Sequence, residues 1–420
     1  MRRRAIGVIL LAWLAYILSY LGRANYNACV LEIVTTVGAE RSLAGMVSSV
    51  LSIFYAIGQL TSGFILKRFS PVPVVGVELL AVSLINLLFP NVGGFGAMAL
   101  LWALNGCVQS TLLTSLTRLF VENLEEPYLS KSAVVINTVG AVGGVTNYLL
   151  TWLLLKYANW QSVFFVSSGC LFLFCVVWMI FMPRLTSHKE EGHTKEWLKK
   201  QEIMHSHDRD SLSVTIKNLG RHLKRHGAVF ALTGCFTVGI LREGVLLWIP
   251  SYINDTFTLG TAMSTVMTVF VPMVQICGAM LAGRINSRIY NLHFPAAVLF
   301  GLSGLSLLLL PILGRVALGF TLLLFVVNAV SLTTCLTCYL SMFPLRFFAP
   351  EETPLITGVS NFCTHVGEFF ATIGIGWLSE KLSWTPTFIL LAMIGGIALV
   401  CSALGGYNLQ RREKLKRQTG

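Results

Sequence analysis

Two arginines stand inside apolar sequence. Arg23 falls in SYLGRANYNACV (residues 19–30) and Arg242 in GILREGVLLWIPSYI (residues 239–253). A guanidinium keeps its charge wherever it sits. Placing one near the centre of a membrane helix costs about 2.5–3.5 kcal/mol on insertion scales, so such a residue faces an interior or a water-filled space and is a functional candidate by default. Apolar chain continues past both arginines, which argues against their snorkelling to a headgroup layer. Two guanidinium groups facing one space repel each other when it is empty. Together they form a planar, multidentate cradle for an oxyanion, a phosphate or phosphate ester first and a dicarboxylate next. If closing around two unpaired cations is costly, the loaded protein reorients more readily than the empty one, which favours exchange of one anion for another.

Other ionisable residues share the apolar segments. His365 and Glu368 lie three apart in TGVSNFCTHVGEFFATIG, a spacing that puts both on one helix face. Histidine ordinarily titrates near about pH 6.5, so the pair reads either as a proton-coupling or substrate-contacting site, or as a hydrogen-bonded pin between helices. Glu243 follows Arg242 directly; on a regular helix it points roughly 100° away and need not pair with it, leaving it free to meet His365 or another polar group. Glu78 reads as structural. Cys335 and Cys338 have CxxC spacing inside LTTCLTCYL, but with no second pair they read as small packing residues rather than a metal or redox site. The histidines at 188, 193, 205, 207, 222 and 226 show no ligand spacing. Gly140, Gly143 and Gly144 suit close helix packing. Neither a Walker motif nor a nucleophile–base constellation is present, so the chain does not read as an enzyme, and no cofactor or metal is implied.

The elements that must position these residues follow from composition. Of 420 residues, 55% are hydrophobic and only 12% charged, against about 25% charged in an ordinary soluble domain. Apolar stretches recur, each near the roughly 20 residues that cross a bilayer. The hydropathy pattern predicts an all-α integral membrane protein with about twelve spans: 5–31, 43–66, 72–90, 95–118, 130–155, 160–182, 228–253, 261–283, 293–312, 317–345, 354–378 and 385–408. The basic start MRRR runs into the first span without a small-residue cleavage site and reads as a membrane helix, not a signal. Residues 1–182 then form one six-helix bundle, 183–227 a basic linker, and 228–420 a second bundle with a short basic tail. Six spans, a polar linker and six spans is the layout of a two-bundle carrier. Within the linker, 212–225 is amphipathic and basic, suited to a membrane surface.

Of the 31 Lys and Arg, Arg41, Lys156, Arg315 and Lys381 fall on one side of these spans and Arg23 and Arg242 within them; the rest fall on the other side. By the positive-inside rule both termini and the linker are cytoplasmic, in an inner (plasma) membrane. The formal net charge of +12 therefore reports topology and contact with anionic lipid rather than a nucleic-acid partner.

YLGRANYNACV and LREGVLLWIPSY resemble the first and seventh helices of the organophosphate:phosphate antiporters, the branch of the major facilitator superfamily that contains glycerol-3-phosphate and hexose-6-phosphate carriers. NGCVQSTLLTSLTR keeps that family's fourth-helix glutamine and arginine as Gln109 and Arg118, and INTVGAVGG its fifth-helix asparagine as Asn137. The resemblance implies a carrier of a small anion, with Arg23 and Arg242 as the clamp. It supplies Tyr16, Tyr20 and Tyr55 as hydrogen-bonding or stacking partners and Asn137 and Gln109 as further contacts; Gln59 joins the partners and Asn25 the further contacts on this sequence's own account. The departures are as definite. Gln59 stands at the family's second-helix lysine, Gly140 at its fifth-helix histidine and Leu113-Thr114 at its fourth-helix Trp-Pro, and Gly63 to Lys67-Arg68 lacks the loop motif's acid. The clamp is kept and the substrate-specific surroundings are not. Tyr-x-x-Arg-x-Asn in the first helix is also similar to the anion:cation symporters of sugar acids, although Gly22 replaces their acid and Arg242 is additional. A third reading is a carrier-like sensor that binds an organophosphate without turnover. A monomer suffices for any of these.

Overall fold

The computed structural model describes residues 2–186, 227–348 and 353–419. In chain order the long helices are α1 (Arg2–Val37), α2 (Arg41–Arg68), α3 (Pro71–Leu88), α4 (Phe95–Asn123), α5 (Glu126–Asn137 continuing as Val139–Tyr157) and α6 (Trp160–Thr186). After the linker come α7 (Ala228–Phe257), α8 (Thr261–Arg288), α9 (His293–Gly314), α10 (Leu318–Phe347), α11 (Thr353–Lys381) and α12 (Trp384–Thr419). Each expected span falls on one of these helices, and most helices run past it. Among the described residues, ten helices are long and apolar enough to cross a membrane. The others, α5 and α11, carry Asn147, Tyr148 and Thr151, and Asn361, His365 and Glu368, polar groups that lower their hydropathy. The amphipathic stretch 212–225 and the linker histidines lie outside the described residues.

The helices form two bundles. In the first, α1 packs on α5 and α6, α2 on α4, and α3 on α6; in the second, α7 packs on α11 and α12, α8 on α10, and α9 on α10 and α12. The bundles meet along two seams, α2 with α11 and α5 with α8. The outer helices α3, α6, α9 and α12 expose Leu84, Leu173, Val298 and Ile397, as a bilayer requires of a surface whose backbone bonds are all satisfied within helices. Both chain ends lie on one face, here the basic face; the α1–α2 turn lies on the far face. Gly38 makes that turn at φ +66°, its amide donating to the carbonyl of Val34 at 3.0 Å, the left-handed cap that ends many helices.

The two bundles repeat a device at the basic face. Arg118, near the end of α4, donates to the carbonyls of Leu66 and Phe69 where α2 gives way to α3. Arg346, near the end of α10, donates to the carbonyls of Asn286, Ile289 and Tyr290 where α8 gives way to α9. Each guanidinium satisfies C-terminal carbonyls that a helix leaves open.

Candidate functional site

Tyr16, Tyr20 and Arg23 are spaced four and three residues apart, so they share one face of α1. The Arg23 guanidinium lies 4.6 Å from the ring centre of Tyr20, 5.8 Å from that of Tyr16 and 5.3 Å from that of Tyr55 on α2. Contacts of this kind contribute about 0.5–2 kcal/mol each. Among the described residues, no carboxylate lies within ion-pair reach of Arg23; its charge is held by ring faces and stays available. Gly143 on α5 permits this cage, since a methyl group there would press on the ring of Tyr20.

Behind Arg23 a polar knot fixes α1. The carbonyl of Gly22 accepts from Asn86 of α3 and Asn105 of α4, both at 2.9 Å. Asn25 donates to Asn86 at 2.7 Å, and Gln109 donates to Asn105 at 2.8 Å while accepting from Ser19 at 2.9 Å. Asn25 and Gln109, expected as substrate contacts, are buried here and bonded to neighbouring helices. Two residues beyond Arg23, Asn25 points to the opposite side of α1, and Gln109 is used up between α1 and α4. Gly22 has no room for the acid of the sugar-acid symporters: a methyl group there would strike Val82 and Leu171. Asn137 ends the first part of α5, and its side chain lies outside the described ones. Glu78 is buried and accepts from Thr111 at 3.2 Å, beside the interruption of α4 at Ser110–Thr111.

Arg242 has a different setting. Residues Gly239–Gly244 form a π-helical turn within α7, an irregularity frequent at functional sites. The wider turn brings neighbouring side chains closer around the axis, and Arg242 pairs with Glu243 at 2.5 Å. This corrects the expectation that the two diverge and that Glu243 is free to meet His365. The Nε of Arg242 is buried without a partner. Asn328 of α10, braced by Ser303 at 2.6 Å, donates to the carbonyl of Leu241 at 3.1 Å, just as Asn105 of α4 does to Gly22. In each half an asparagine thus holds the residue before the arginine.

The second seam helix completes the site. His365 Nδ1 lies 3.0 Å from Glu368, and the imidazole packs on Tyr55 with ring centres 5.4 Å apart. Gln59 donates to the Tyr55 hydroxyl at 3.1 Å and accepts from Asn361 of α11. Helices α7 and α11 touch backbone to backbone, because side chains at Gly239 and Gly367 would collide with Thr364 and Phe236. Tyr148 of α5 is buried beside Ala28 of α1 and Val269 of the second half. Asn361 and Tyr148 were not among the expected residues. Asn361 stands one turn before His365 on the same face, a spacing that could have flagged it; Tyr148 carries no such mark. Cys335 and Cys338 are buried free thiols in α10.

On the far side of Arg23 the halves are tied repeatedly. Arg41 pairs with Asp255 at 2.5 Å and its amide donates to Glu380 at 2.9 Å; within the second half, Trp384 braces Asp255 by donating to it at 2.9 Å. Ser49 bonds to Thr372 and to the carbonyl of Phe369. On the basic-face side of Tyr55, among the described residues, the hydrogen bond that crosses between the halves is that of Asn361 with Gln59.

The Major Facilitator Superfamily model matches residues 12–372. The chain belongs to that superfamily. It is a family of transporters, so this multi-pass membrane protein is a transporter and not an enzyme. The chain is 23% identical to the membrane sensor protein UhpC of Escherichia coli (strain K12) over 420 aligned residues, covering 93% of this chain and 90% of that one. It is 21% identical to a probable hexose phosphate transport protein of Chlamydia muridarum (strain MoPn / Nigg), covering 69% and 67%. These relatives agree with the resemblance to the organophosphate:phosphate branch. In fold the chain is similar to a bacterial homolog of the human lysosomal transporter Spinster in an inward-facing and occupied conformation, with a TM-score of 0.75, 11% identity and 96% of each chain covered.

Proposed function

We propose that the protein is a secondary active carrier of a small organic phosphate. It exchanges the ester for inorganic phosphate by alternating access in an inner (plasma) membrane, acts as a monomer, and has its basic face in the cytoplasm. Arg23 carries this reading: a guanidinium with no ion-pair partner among the described residues, in a tyrosine cage, with a second arginine on α7, which packs against α1. The Chlamydia relative's name, a hexose phosphate transport protein, supports the substrate class. Exchange rests on Arg23 more than on the pair, because Glu243 already offsets the charge of Arg242.

Reconstituted protein in liposomes loaded with phosphate tests the reading. Uptake of labelled phosphate that needs internal phosphate is the expected result; uptake just as fast into empty liposomes would refute exchange. A second reading, proton-coupled symport of a carboxylate or sugar acid, draws on the carboxylates of Glu243 and Glu368 and on the His365 pair. It requires pH-dependent uptake that His365→Gln flattens. The UhpC relative, named a sensor, raises the third: ligand binding with no flux.

A further inference from the structure

The charges gathered between the halves do not make a simple anion clamp. Arg23 and Arg242 bring two positive charges and Glu243 and Glu368 two negative ones, equal while His365 is neutral; a protonated His365 adds one more positive charge. Both carboxylates are incompletely buried, with side chains 25% and 13% exposed, and each has its ion-pair partner on its own helix. The helices that carry them, α7 and α11, are brought together by glycine contacts, where Gly239 meets Thr364 and Gly244 meets Ala371. With His365 neutral, a phosphate dianion entering this space would leave two excess negative charges, in surroundings where charge is poorly screened. A ligand that carries its own cation leaves it closer to neutral.

We propose that the substrate is a zwitterion, an organic phosphate that also bears an ammonium group; this rests on the phosphate reading above. The phosphate lies on Arg23 with Arg242 behind it, and the ammonium lies on the carboxylate of Glu368 with Glu243 beside it. The layout suits two ends of one small molecule. Tyr55 stands between them, its ring 5.3 Å from the Arg23 guanidinium and 5.4 Å from the His365 ring. Glu368 has a second carboxylate oxygen beyond the one facing His365, and an ammonium has three donors to offer it.

The test measures binding of matched ligands to the purified protein in nanodiscs. Glucosamine 6-phosphate is compared with glucose 6-phosphate, which replaces the amine by a hydroxyl, and with N-acetylglucosamine 6-phosphate, which keeps the nitrogen and removes its charge. Glucosaminate against gluconate repeats the comparison with a carboxylate as the anion. The expected result is at least about tenfold tighter binding of the charged amine, a difference of about 1.4 kcal/mol, with the ratio falling toward one in Glu368→Gln. Equal or weaker binding of the amine in wild-type protein overturns the proposal and leaves the phosphate reading standing. An amine preference confined to the carboxylate pair overturns the phosphate reading and keeps the zwitterion. Binding of neither pair overturns both, and an amine preference unchanged in Glu368→Gln and Glu243→Gln overturns the assigned carboxylates.

Discussion

The first and second halves hold their arginines with matching scaffolds and opposite electrostatics. Asn105 from α4 grips the carbonyl before Arg23, and Asn328 from α10 grips the carbonyl before Arg242. At the basic face Arg118 and Arg346 repeat the correspondence on helix-end carbonyls. Yet α1 runs unbroken past Arg23 and presents it to three tyrosines, whereas α7 widens into a π turn and hands Arg242 to Glu243. A duplicated frame therefore carries one available cation and one already offset. The frame is what a rocking carrier needs to be alike in both halves; the charge is what it needs to be different if the ligand is to be read end to end.

Four experiments break or sharpen this comparison. Arg23→Ala has the largest expected effect. Removing one side of a buried charge contact costs about 2–5 kcal/mol, so uptake falls about thirtyfold or more, against about tenfold for Arg242→Ala at 1.4 kcal/mol. Equal losses in the liposome assay would mean that the halves share the ligand equally. Lysine at position 23 does not rescue, because an ammonium lacks the planar fork.

Glu243→Gln makes the halves alike by freeing the second cation. Inorganic phosphate should then bind about tenfold tighter, for one regained charge-assisted contact of about 1.5–3 kcal/mol, and the empty protein should return more slowly in an efflux assay. Weaker phosphate binding would show that Glu243 positions Arg242 rather than restrains it.

Next comes packing. Gly22→Ala and Gly239→Ala force a methyl group into helix crossings of the two halves, where overpacking costs about 1–3 kcal/mol; both should lower the unfolding temperature in detergent. Gly140→Ala, with nothing near the added carbon, should leave it unchanged. The smallest effect belongs to the far-face latch. Arg41 and Asp255 are partly solvated, at 18% and 31% exposure, and such a pair contributes about 0–1 kcal/mol. Arg41→Ala should raise alkylation of a Ser49→Cys probe by no more than about fivefold; a far larger rise would make this pair the main closure.

Much of this was legible along the chain. Helices α1 to α12 could be drawn from hydropathy alone because each must hide its backbone from lipid over a fixed length. Arg23 and Arg242 stood out because a guanidinium in apolar sequence needs a reason, and the three-residue spacing of His365 and Glu368 announced their contact. The setting of Asn25 and Gln109 was not legible, because an amide in a membrane helix looks the same whether it faces a ligand or a neighbouring helix. Glu243 misled because its pairing depends on a π turn, which no residue in GILREG advertises.

The sequence by itself determined a membrane protein of paired six-helix halves, each carrying one intramembrane arginine, since these follow from the length and composition of its apolar runs. Only the tertiary structure decided which polar groups meet: Asn105 and Asn328 reach the carbonyls of Gly22 and Leu241, far away in the chain, and Gly22 and Gly239 leave room for their helices to approach. Whether a charge is free or offset depends on neighbours a few ångströms away in space, and the order of residues along separate helices does not specify them.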